Sequence, residues 1–214
     1  MAGRFITFEG TEGGGKSTQI VLLAERLRQL GHVVRTLREP GGTPIGEEIR
    51  HTLKHSSDNQ AMTAETELLL MNASRAQLIR EIIRPSLAAA EIVLCDRFSD
   101  STVAYQGYGR GLDLKLVRSV IDFAVGGTRP DLTLLLHVPL SVSESRRAAR
   151  QAGTVPARDR FEESGREFFA RVEQGFLSIA KAEPERVKVI DATASIQEVS
   201  NQIWKHVEPL HTSL

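Results

Sequence analysis

Gly10-Thr11-Glu12-Gly13-Gly14-Gly15-Lys16-Ser17 follows the short β-favouring run Phe5-Ile6-Thr7-Phe8 and precedes an amphipathic stretch. The octapeptide fits G-x-x-x-x-G-K-[ST], a loop that wraps backbone N–H groups around a phosphate chain. Its glycines let the backbone curl without Cβ clashes. A helix beginning at the end of the loop adds unpaired N–H groups and the positive end of its dipole. That helix is predicted from Ile20, Leu23, Ala24, Leu27 and Leu30, which share one face, with Gly31 placed to end it. Gly10, Thr11, Glu12, Gly13, Gly14, Gly15, Lys16, Ser17 and Thr18 are therefore the candidate cradle for a nucleoside triphosphate. Lys16 is placed to reach the β and γ phosphates, and the Ser17 hydroxyl to ligate Mg²⁺. A glycine-rich turn with a chance lysine would not put strand, spacing and helix in register.

Val33–Leu37 reads as a second strand, closed by Pro40-Gly41-Gly42, and Ile92–Cys95, Leu132–Val138 and Val187–Ile190 read as three more. Helical patterns separate them. One runs from Ile45 to about Leu53, ahead of a polar loop through Ser56-Ser57-Asp58-Asn59. A long one covers Thr63–Ile83 and is expected to stop near Pro85. Short apolar strands alternating with helices predict an α/β fold, with a parallel sheet covered on both faces. Without a repeat or low-complexity linker, the 214 residues read as a single domain, 1–214. The one composition shift is the Arg-rich segment Arg146–Arg160, with Gly153 and Pro156 inside it, which predicts a mobile loop between two helices.

Composition narrows the function classes. Lys and Arg number 27, as do Asp and Glu, so bulk electrostatics give no reason to expect a nucleic-acid or membrane-surface partner. A single cysteine, Cys95, rules out an internal disulfide and points to a reducing, cytoplasmic setting. Cys95 and Trp204 read as core residues, and the six histidines show no metal-ligand spacing. The N-terminal residues, charged at Arg4 and Glu9, lack the apolar core of a secretory signal. No stretch approaches the roughly 18 apolar residues of a membrane-spanning helix.

The cradle alone does not choose among its users. A guanine-reading Asn-Lys-x-Asp is absent after Leu132–Val138, where Pro139-Leu140-Ser141-Val142 stands instead. The strand Ile92–Cys95 ends in Asp96-Arg97 and not in the Asp-Glu pair of motor or transporter ATPases. Asp96 is suited to hold Mg²⁺ or its water shell. Arg97 faces an anion, which suggests a second, phosphorylated substrate; a surface ion pair is the alternative.

Taken together, several segments resemble the thymidylate kinase family. They are Phe8 to Thr18, Arg38-Glu39-Pro40-Gly41-Gly42-Thr43, Asp96-Arg97-Phe98, Ser101-Thr102-Val103-Ala104-Tyr105-Gln106-Gly107, Arg129-Pro130-Asp131-Leu132-Thr133, Asp159-Arg160-Phe161-Glu162 and Asp191-Ala192-Thr193. The resemblance implies a P-loop kinase fold with a five-stranded parallel sheet and an arginine-bearing lid at about 146–162. It implies ATP and dTMP as substrates, dTDP as product, Mg²⁺ as cofactor, and a homodimer. The apolar residues Leu68, Leu69, Leu70, Ile79, Ile82 and Ile83 on the long helix would serve core and dimer contacts.

Residue by residue, the resemblance puts Glu12 near the acceptor's 3′-hydroxyl and Arg38 and Arg97 on its phosphate, an anion suited to planar bidentate donors. Arg75 would donate to a thymine carbonyl. Thr102, with Ser101 and Gln106 beside it, would meet the ring N–H edge, and Tyr105 would lie under the sugar's 2′ carbon. The lid would supply Arg160, with Arg150 and Arg158 as neighbours, to the transferring phosphoryl group. Where the family usually has a phenylalanine stacked on thymine, this chain has Met71. A thioether also packs on a flat base; the other reading is helix core, with another aromatic over the base. Two rival functions use the same cradle: a deoxynucleoside kinase, which needs a carboxylic base just after the second strand where Arg38 stands, and a non-catalytic ATP-binding sensor.

Overall fold

The computed structural model describes residues 3–151, 160–161 and 164–211. Strand β1 (Arg4–Glu9) runs into the cradle and then α1 (Lys16–Gln29). Next come β2 (Val34–Arg38), α2 (Pro44–Lys54) and a 3₁₀ turn over Ser57–Ala61, in place of the plain loop expected there. Helix α3 (Ala64–Leu78) passes through a π-helical turn (Ile79–Ile83) into α4 (Arg84–Ala88). Strand β3 (Ile92–Asp96) leads to α5 (Ser99–Thr102), a second π segment (Val103–Gly109) and α6 (Leu114–Val125). The rest is β4 (Leu132–His137), α7 (Leu140–Gln151), α8 (Arg166–Ala182), β5 (Val187–Asp191) and α9 (Ile196–His211).

All strand pairs are parallel, in the order β2-β3-β1-β4-β5, which gives the expected five-stranded sheet. Alternation along β1 divides the core. Ile6 and Phe8 face Leu23, Leu27, Ile203 and Trp204 of α1 and α9, while Phe5 faces Leu78, Ile83 and Val117. Phe5 and Ile6 are 0% and 1% exposed, so both faces of the sheet are covered, as a parallel sheet requires. The chain leaves β1 toward one side of the sheet and later returns to its other side at β4. The crevice beyond the carboxyl end of β1 is therefore the topological switch point, where ligands bind in open α/β sheets.

Two sequence expectations are corrected. The helix does not stop near Pro85: the wider π turn absorbs the missing N–H, and Pro85 sits in the first turn of α4, where none is needed. The Arg-rich segment starts as helix, because α7 carries Arg146 as far as Gln151; residues 152–159 lie outside the described residues. The apolar excess of the long helix is also mostly core. Leu68, Ile79 and Ile83 are buried, whereas Leu69 is 60% exposed.

Candidate active site

The cradle is shaped by close packing against β4. A Cβ on Gly10, at φ 126°, would lie 2.3 Å from the Leu136 carbonyl oxygen, so no other residue fits the start of the loop. Gly15, at φ 83°, supplies the left-handed turn that launches α1. Lys16 follows, 8% exposed, with Nζ donating to the Gly10 and Thr11 carbonyls at 3.2 and 3.1 Å. Burial pulls its ammonium down to about 8. Ser17 Oγ donates to Asp96 Oδ2 at 3.5 Å, and Asp96 Oδ1 is buried without a partner among the described residues. A hydroxyl and a carboxylate with an open lone pair form an oxygen donor set that fits Mg²⁺. Glu12, Lys16, Ser17, Thr18, Arg38, Asp96 and Arg97 all line one cleft.

A second cavity is lined by Met71, Arg75, Ser101, Thr102, Tyr105 and Gln106, together with Glu12 and Arg97. The base-side residues expected from sequence are thus brought together. Glu12, Glu39, Lys54 and Arg97 line both cavities, so the two adjoin.

Arg97 stands at that junction, held in a left-handed backbone conformation at φ 69°. Its N–H donates to the Phe8 carbonyl at 2.9 Å, and Nη1 donates to the Gly10 carbonyl and to Ser101 Oγ, each at 3.1 Å. The guanidinium carbon lies 5.1 Å from the Tyr105 ring centroid. Behind it, fully buried Glu9 accepts from Phe98 N, Ser101 N and Ser101 Oγ at 2.8, 3.2 and 2.5 Å. Burial, reinforced by the Asp100 charge, pushes the Glu9 carboxyl from 4.5 up to about 7. Unfolding therefore releases the Glu9 proton between those values, so this group's stabilisation is full below pH 4.5 and is lost as pH rises through about 7. Glu9→Gln should accordingly gain melting temperature relative to wild type as pH is raised from 4.5 to 8. Melts of both proteins across that range check this, and a constant gap contradicts it.

Arg75 is 2% exposed and almost saturated. Nε donates to Glu39 Oε2 at 2.8 Å, Nη1 to Asn72 Oδ1 at 3.0 Å, and Nη2 to the Phe98 carbonyl and Thr102 Oγ1, both at 3.0 Å. A guanidinium has five N–H donors, so one remains, on Nη1. Arg38 is exposed and bonded through Nη2 to both oxygens of Glu47, at 3.0 and 2.9 Å.

The lid residues are placed less uniformly. Arg160 bonds Glu67 and donates Nη2 to the Met62 carbonyl at 2.9 Å, and it does not line the cradle cleft. Arg158 and the side chain of Arg150 lie outside the described residues. Arg146, not singled out by sequence, donates Nη1 to the Gly13 and Ala192 carbonyls at 3.0 Å and lines the cleft. Other missed pocket residues are Lys54, Glu39 and Phe161; the quoted family segments contained the last two. Phe161 is 5% exposed and packs edge-on to Tyr105, with centroids 6.2 Å apart. Cys95 is buried, with its thiol pushed well above the usual range, and is structural as expected.

A family model described as thymidylate kinase matches residues 8–203. The chain belongs to the thymidylate kinase family. Curated thymidylate kinases of Syntrophotalea carbinolica and Pseudomonas syringae pv. tomato are 49% and 50% identical over 201 and 205 residues. Those alignments cover 94% and 96% of this chain and 93% and 95% of the relatives. The crystal structure of thymidylate kinase from Ehrlichia chaffeensis superposes with a TM-score of 0.76 at 36% identity, covering 97% of this chain and 99% of the other.

Met71 can now be placed against the family pattern. It is half-buried, packs against the core and also lines the second cavity. Met71→Phe gives the base a ring worth about 0.5–1.5 kcal/mol of stacking, opposed by overpacking that costs about 1–3 kcal/mol in a tight core. Because Met71 lines the cavity as well as the core, dTMP affinity should rise roughly two- to tenfold, the equivalent of that stacking term. Titration of dTMP beside a thermal melt checks it. A lowered melting temperature with unchanged affinity assigns Met71 to the core alone.

Proposed function

We propose that this thymidylate kinase family member transfers the γ-phosphoryl group of ATP in line to a phosphate oxygen of dTMP, giving dTDP and ADP. The observation that carries this is the junction itself: a phosphate cradle and a largely apolar pocket meet at Arg97 and Glu12. The acceptor phosphate is ionised at neutral pH, so no general base is required. Catalysis is then alignment plus neutralisation of charge on the transferring group.

In this reading Lys16 and the loop N–H groups hold the donor phosphates. Arg38 and Arg97 hold the acceptor phosphate, Arg38 by exchanging Glu47 for the substrate. Glu12 meets the 3′-hydroxyl and Tyr105 the 2′ carbon, while Arg75, Thr102 and Gln106 read the base. Ser17 and Asp96 would hold Mg²⁺, which when bound would neutralise phosphate charge on the donor. Arg150 and Arg158 of the lid meet the transferring group first, because Arg160 is engaged on Glu67 and joins only by leaving it.

The deoxynucleoside kinase reading has one structural observation in its favour. Glu39 directly follows β2, and its Oε1 is buried without a partner among the described residues. Arg75 occupies the other oxygen, and Arg97 and Arg38 supply cations that a neutral hydroxyl does not need. ADP release with dTMP against thymidine as acceptor tests the assignment: dTMP should be far the better acceptor, and a preference for thymidine overturns it. Exposed Leu69 on α3 and Phe123 on α6, 60% and 85% exposed, support a homodimer formed through these helices.

A further inference from the structure

Glu67 of α3 is 0% exposed, and donors from two distant segments converge on its carboxylate. Gln106 Nε2 donates at 2.8 Å, Arg110 Nε and Nη2 at 3.1 and 3.0 Å, and Arg160 Nη1 completes the set. A carboxylate between two guanidinium groups only accepts hydrogen bonds. An amide that faces it must therefore present its NH₂ end. This fixes the Gln106 side chain one way round. Nε2 is turned to Glu67, and the carbonyl Oε1, which has no partner among the described residues, is the end left for the pocket that Gln106 lines.

Arg75, which has one N–H left over on Nη1, lines the same pocket. That donor and the Gln106 carbonyl are among the groups the pocket offers a base, beside Glu39 Oε1 and the Tyr105 hydroxyl, which have no partner among the described residues. Thymine complements that pair, with a carbonyl for the donor and a ring N3–H for the acceptor. Cytosine opposes it, with an amino group toward the donor and a bare N3 toward the acceptor, and buried polar groups left unpaired are a strong basis for rejection.

We propose that Glu67 is a specificity-determining positioning residue: by pinning the Gln106 amide, it makes the pocket accept pyrimidines with a ring N–H and refuse those with a bare ring nitrogen. The proposal rests on the dTMP kinase reading of the site. Glu67 acts through Gln106 and does not touch substrate. A purely structural anchor for Arg110 and Arg160 would instead affect all acceptors alike.

The test measures kcat/KM for dTMP and dCMP, with melts, in wild type and Glu67→Gln. An amide at position 67 no longer dictates the orientation of Gln106. Turnover of dTMP should fall while that of dCMP falls less or rises, narrowing the preference about tenfold or more. Equal losses for both acceptors, at whatever stability, overturn the proposal. Should Glu67→Gln fail to fold, Gln106→Met removes the pinned carbonyl and leaves the carboxylate with its arginines. It must narrow the same ratio, and an unchanged ratio overturns the proposal. Wild-type protein inert toward dTMP would show separately that the underlying reading had failed, and the proposal with it.

Discussion

Lys16→Met should yield a folded protein whose phosphoryl transfer is lower by on the order of 100- to 1000-fold, the usual loss when one preorganised donor to developing charge is removed. Lys16 occupies a crowded position, with its ammonium turned onto the Gly10 and Thr11 carbonyls. Methionine keeps most of the buried aliphatic stem and removes the charge, so the melting temperature should change little. The lost cation would have met donor phosphates in both ground and transition states, so kcat should fall and KM for ATP should rise. Steady-state kinetics beside a thermal melt check this. Near-normal turnover in the folded variant would contradict the cradle assignment.

Arg97→Ala should raise KM for dTMP far more than KM for ATP. Losing one charge-assisted contact costs about 1.5–3 kcal/mol, or roughly ten- to 150-fold in acceptor affinity. Alanine inherits the same left-handed backbone at φ 69° and adds no new strain, since arginine already carries a Cβ there. Some loss of order is expected around Ser101, which gives up one of its donors. A defect confined to ATP would place Arg97 on the other nucleotide.

Much of this site was legible because its backbone demands are local. The glycines and lysine of the cradle, the apolar strands and the Asp96-Arg97 strand end each announce themselves within a few residues. Pro85 misled because proline is a reliable stop only when the chain before it is strictly α-helical; a π turn ahead of it changes the register of donors. Glu67 gave no sequence signal. An acidic residue in the first turn of a helix usually faces solvent and complements the dipole, and only the fold brings Arg110 and Arg160 to it. Glu9 was likewise hidden, since a carboxylate at a strand end looks exposed until α5 closes over it. Arg160 shows the limit of motif transfer: the residue matches the family lid, yet its guanidinium is engaged on α3.

The central claim is that one continuous site holds both nucleotides with their phosphates facing. A linked analogue, adenosine joined through a pentaphosphate to the 5′ carbon of thymidine, spans both cavities by construction. Its displacement from wild-type protein, followed by calorimetry, is the most direct measurement. The account predicts tight binding that is competed away by ATP alone and by dTMP alone. Displacement by only one of them, with the other binding undisturbed alongside, would contradict it.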